Sequence, residues 1–227
     1  MIDTARTPGK APHGYPSTPR QQLAIVSRFN AVRGWGLDEA SFPEPPDHFK
    51  PATDSEMLLL DVKLPGEGEH GGLQRTIEEL WEAIVPPRGF TKHRPLDTAC
   101  LRLTDGRDWQ AGVRWVGFEP DTYPNYSPIQ ARIFSAATGE RLAGTEVLCA
   151  AVLLPPWGDS WRVDGADRPL PNLSGLELVR HDGWTQVPYI DRWDSDEALI
   201  LEAGRVESAL VGWASPVVRE IPTHQLR

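Results

Sequence analysis

The sequence predicts an α+β fold: a mostly antiparallel sheet with a few short helices and a flexible Pro-rich N-terminal arm. Three observations predict it. Apolar residues recur at spacings of three and four in two stretches, one halted by Gly34 and the other by Pro86-Pro87, which is helical periodicity with helix-stopping punctuation. The run "EMLLLDVKL" is continuous, apolar and of strand length. From Trp161 to Arg227, short apolar runs are separated by Gly, Asp and Pro at the spacing of an antiparallel meander. Helices and strands distributed in this way indicate α+β.

Taken in order, residues 1–20 carry Pro8, Pro12, Pro16, Pro19, Gly9 and Gly14, too little apolar surface to offset ordering entropy, and read as a flexible tail. Residues 21–52 read as a helix and a proline-rich connection. The helix sets in from Pro19, with Leu23, Ile25, Val26, Phe29 and Val32 on one face, and "SFPEPPDHFKP" is the connection. Residues 53–227 read as one α+β domain that opens with the buried strand "EMLLLDVKL". "GEGEHGG" is a solvated turn. Thr76 and Glu79 make a capping-box pattern ahead of Ile77, Leu80, Trp81, Ile84 and Val85. "CLRLTDGRDWQAGVRWVGF" reads as a hairpin turned at Asp105-Gly106. "YSPIQARIFSAATGERLAG" reads as mixed structure. "TEVLCAAVLLPP" has a Thr145 cap and an apolar interior, so it is a helix buried on every side.

Composition narrows the partners. A net charge of −9 over 227 residues repels phosphate backbones, which argues against direct nucleic-acid binding. No apolar block approaches a bilayer span or a secretory signal, so the expectation is a cytoplasmic protein without a membrane partner. Cys100 and Cys149 fit no zinc or redox spacing and read as buried free thiols. Nineteen Arg against four Lys, with three Asn, is the usage of a GC-rich genome such as that of an actinobacterium or one of its phages.

Motifs for chemistry do not assemble. Gly158-Asp159-Ser160 matches the nucleophile tripeptide of Gly-Asp-Ser esterases, but no Asp-x-x-His follows, and His181 and His224 are the only later histidines. A serine without a base in reach is a poor nucleophile. His70-Gly71-Gly72 resembles an oxyanion loop without any Gly-x-Ser-x-Gly elbow. His93, Asp97 and Cys100 supply residue types for a thiol nucleophile, but nearness in sequence is not geometry. No catalytic, cofactor or metal site is therefore assigned. The acidic stretch "DRWDSDEA" gathers Asp191, Asp194, Asp196 and Glu197, which could attract a hard cation or a basic partner, although it lacks the glycine and distal glutamate of a calcium loop.

Nine tryptophans are present, and most are expected to be structural. Tyr123, Tyr126, Trp157, Trp161 and Trp193 fall in polar or proline-rich loops and make up a candidate contact surface. The expectation is a non-enzymatic interaction or assembly subunit with a protein partner, acting through these aromatics and the N-terminal arm. Two alternatives stand beside it: a small-molecule-binding protein or enzyme with a Trp-lined pocket, and an acidic protein that neutralises a basic one.

Overall fold

In the computed structural model, which describes residues 17–46, 48–68, 70–86, 89–154, 169–179, 185–208 and 212–221, helix α1 spans Pro19–Arg33. Residues 1–16, most of the expected arm, lie outside the described residues. Thr18 and Gln21 exchange side-chain and backbone hydrogen bonds in a capping box, Pro19 opens the first turn, and Gly34 closes the last. The inward arc is centred on Gln22, Val26 and Phe29. Val32, expected on this face, falls off that arc and is 76% exposed. Trp35, just past the helix, is fully buried and donates its indole N–H to Glu79 Oε2 at 3.1 Å.

Strand β1 (Met57–Lys63) follows as expected. Helix α2 (Gly71–Ala83) begins earlier than the sequence suggests, with His70 at its N-cap. Thr76 and Glu79 are therefore not a capping box. Thr76 sits in the second turn, where its hydroxyl donates to the Gly72 carbonyl at 2.7 Å and accepts from Leu64 N–H at 2.8 Å. Nor is "GEGEHGG" wholly a solvated turn, because Gly71 and Gly72 belong to the helix and Gly72 is buried. A Cβ on Gly72 would lie 2.3 Å from Trp109 Nε1 and 2.9 Å from the Leu64 carbonyl, so only glycine allows this approach. Val85 lies beyond the helix end and is 74% exposed.

Short strands β2 (Thr91–His93) and β3 (Leu101–Leu103) precede the long strand β4 (Gly112–Glu119). The expected hairpin of β3 and β4 does not form. β3 pairs with β7 (Leu176–Val179), while β4 pairs with β1, so the Asp105-Gly106 turn carries the chain from one sheet to the other. Helix α3 (Pro128–Thr138) and strand β5 (Arg141–Leu142) fill the segment read as mixed. Helix α4 (Thr145–Leu153) is buried on nearly every side, with Gly144 rather than Thr145 at its N-cap. Cys149, within α4, is buried as expected, whereas Cys100 is half-exposed because it ends a short turn at the surface.

The last third contains β6 (Leu170–Pro171), β7, β8 (Thr185–Trp193), β9 (Ala198–Arg205), β10 (Trp213–Ala214) and β11 (Val217–Glu220). It is a meander only in part. β7, β8 and β9 run antiparallel in a sheet of order β2-β9-β8-β7-β3, with β2 joining in parallel. β6 and β10 form a separate parallel pair, and β11 crosses into the first sheet, whose order is β1-β4-β11-β5. Together these elements make an α+β fold of mostly antiparallel sheets. One large core joins the two main sheets to α1, α2 and α4, with Leu59, Leu60, Trp81, Phe118 and Leu201 all 0–1% exposed.

β1 is an edge strand, yet its outer backbone groups are hydrogen-bonded by side chains. Gln22 of α1 donates to Leu58 O at 2.9 Å and accepts from Leu60 N–H at 2.8 Å. Cys149 Sγ of α4 takes the Val62 N–H at 3.4 Å, Thr76 of α2 takes that of Leu64, and Trp109 Nε1 donates to Leu64 O at 2.9 Å. Helices thus cover an edge that would otherwise template pairing with another strand.

Candidate functional site

The loop before α3 and one face of that helix build an apolar surface. Ser127 caps α3 in a capping box with Gln130, and Pro128 opens the first turn. At helical spacing, Pro128, Ala131 and Ser135 face inward and are buried. Ile129, Ile133 and Phe134 fall on the opposite arc, at 41%, 63% and 44% exposure. The helix thus buries its small residues and presents its large ones. Tyr123 stacks on Phe134 with ring centroids 6.2 Å apart, and Tyr126 meets the same ring edge-on at 5.2 Å. Tyr123 has a φ of 50° and Asn125 one of 62°, in the left-handed region that costs a β-carbon-bearing residue energy. The Tyr123 hydroxyl donates to Glu140, and its ring packs on Ala131, Leu142 and Val217, which fixes the strained turn to α3 and β5.

Of the five residues expected on a contact surface, Tyr123 and Tyr126 are brought together here. Trp193 is 43% exposed at the far end of β8, where its indole N–H donates to Asp191 at 2.9 Å. Trp157 and Trp161 lie outside the described residues, as do Ser160, His181 and His224. The residues missed by the sequence reading are Ile129, Ile133 and Phe134. Their signal was available: large apolar residues at i, i+4 and i+5 opposite small ones at i+2 and i+6.

The acidic stretch runs from the end of β8 through the short connection to β9. Asp191 is engaged by Trp193 and by Arg192 N–H, Asp196 and Glu197 are exposed, and the side chain of Asp194 is outside the described residues. Among the described residues no group of three His, Cys, Asp or Glu is arranged to hold a metal. His93 bonds Thr91 at 3.0 Å, while Cys100 Sγ donates to Asp97 at 3.3 Å, an interaction that raises the thiol's pKa and favours its neutral form. That favours an inert thiol over a nucleophile.

A second cluster lies between α4 and the first sheet. Asp61 on β1 is fully buried and accepts Arg114 Nε of β4 at 3.0 Å, its in-register neighbour. Glu146 of α4, 2% exposed, accepts Arg141 Nη1 at 2.6 Å and Gly144 N–H at 2.9 Å. Asp61 Oδ1, Arg114 Nη2 and Arg141 Nε and Nη2 are buried with no hydrogen-bond partner among the described residues. Burial and the Glu146 charge push the Asp61 carboxyl up to about 6. Burial alone would raise Glu146 too, but Arg141 and Lys63 outweigh it and hold that carboxyl well below the usual range.

Arg141 also borders a cleft of about 510 Å³ at the β5 and β11 edge, shared with Glu56, Arg107, Glu140, Arg219 and Glu220. The lining is charged rather than tryptophan-rich, and two ion pairs lie within it. Arg219 grips Glu56 bidentately at 2.9 and 3.0 Å, over Gly117, where a Cβ would collide with the carboxylate. Arg107 reaches Glu220 at 3.2 Å. No family model, curated protein or solved structure matches this chain.

Proposed function

We propose that the protein is an interaction subunit that binds another protein through α3 and the tyrosines ahead of it. The observation that carries this reading is the exposed face of Ile129, Ile133 and Phe134 beside Tyr123, stacked on Phe134, and Tyr126, edge-on to the same ring. Contiguous exposed apolar groups favour contact with a partner, and the anchors at i and i+4, Ile129 and Ile133, suit insertion of a helix face into a groove. The strained turn at Tyr123 is consistent with a loop held in place for recognition. The net charge of −9 favours encounter with a basic surface.

The test is site-specific photocrosslinking in the native host. A photoreactive residue at Ile133 should capture a discrete protein that the same residue at Val32, even more exposed on α1, does not. Ile133→Asp should abolish capture from a neighbouring crosslinker at Ile129 while leaving the melting temperature within a degree or two, because the side chain is exposed. Capture no greater at Ile133 than at Val32 would remove this reading.

A further inference from the structure

The cluster under α4 plays no part in the α3 surface. We propose that the contact between α4 and β1 is proton-linked, with Asp61 as the group that takes the proton: neutral Asp61 keeps α4 seated, and ionised Asp61 loosens it.

The geometry sets the two buried carboxylates apart. Every charged or titratable group facing Asp61 comes from a named element: Lys63 from β1, Arg114 from β4, Arg141 from β5, and Glu146 and the Cys149 thiol from α4. Glu146 holds the short contact to Arg141 and the Gly144 N–H, so it remains anionic. Asp61 shares Arg114 with Glu220, which Arg114 Nη1 reaches at 3.5 Å, and its Oδ1 has no donor among the described residues. Asp61 is therefore the under-compensated charge, held against a second negative charge that α4 supplies.

The direction follows from linkage. Were α4 to lift, Asp61 would be hydrated and would titrate near its ordinary value of about 4. Its carboxyl titrates near 6 with α4 seated. The closed state then binds more protons between those two values, and opening becomes easier as pH rises through them. Glu146 titrates below this window, so it does not cancel the effect.

The Val62 amide, bonded to Cys149 Sγ of α4, reports opening directly. Its hydrogen-exchange protection, corrected for the intrinsic pH dependence of exchange, should fall about ten-fold between pH 5 and pH 7.5 in the full chain. In Asp61→Asn it should stay level over that range. Equal falls in both proteins, or none in the wild type, would overturn the proposal. If Asp61→Asn does not fold, the carbon-13 carboxyl resonance of Asp61 in the wild type decides. A midpoint between about 5.5 and 6.5 supports the proposal, and one below 4.5 overturns it.

Discussion

At the scale of single residues, close approach governs more than propensity. Gly72 lies in the first turn of α2, where alanine's helix propensity would ordinarily favour it by up to about 1 kcal/mol. Here its missing β-carbon admits the Trp109 ring and the bond from that indole to Leu64 O. Overpacking and a lost hydrogen bond outweigh the propensity gain, so Gly72→Ala should lower unfolding free energy by about 1–3 kcal/mol in urea titrations. A stabilised variant would show that the indole can move aside freely. The pair Gly71-Gly72 reads as a loop from sequence because glycine signals flexibility, and nothing local reveals that a tryptophan some forty residues later requires it. Tyr123 and Tyr126 were legible because aromatics in a proline-rich loop stand out. Ile129 and Ile133 carry a spacing signal as well, but one that is easily passed over, since apolar residues in a helix are ordinarily assigned to the inside.

At the scale of elements, those specified by their own periodicity emerge as expected. α1, β1 and α4 each carry an amphipathic or continuous apolar pattern that needs no distant partner to interpret. β3 and β4 differ. The Asp105-Gly106 turn is real local chemistry, but strand partners are chosen by long-range packing, and β3 finds Leu176–Leu178 while β4 finds β1. The edge of β1 shows the same interplay between elements, because α1 supplies Gln22 as a substitute for a neighbouring strand. Gln22→Ala should cost about 2–3 kcal/mol by leaving Leu58 O and Leu60 N–H buried without partners. Val32→Ala on the same helix should change stability by less than about 0.5 kcal/mol. Parallel thermal melts of the two variants check this, and equal effects would mean that water reaches the β1 edge.

At the scale of the whole molecule, the buried charges shape the response to acid. Glu146 is held ionised in the folded chain, with a carboxyl depressed below its unfolded value of about 4.3, so its stabilisation is present above that value and lost as pH falls through the folded one. The stability advantage of the wild type over Glu146→Gln should therefore shrink by about 1–3 kcal/mol between pH 5 and pH 2.5. A constant difference in denaturant titrations at both values would refute that coupling. Asp61 acts in the opposite sense at higher pH, so these two groups together favour the fold most near the boundary between their windows. The position of β11 has a consequence for the order in which the chain is made. Among the described residues β5 pairs into its sheet through Val217 and Val218, and β11 also covers the inner edge of β4. During synthesis, every residue from β1 to β5 leaves the ribosome before the strand that joins them exists. The nascent chain must keep an unpaired β4 edge from other chains until residues 217–220 arrive, which makes the interval before their emergence the time of greatest exposure to aggregation.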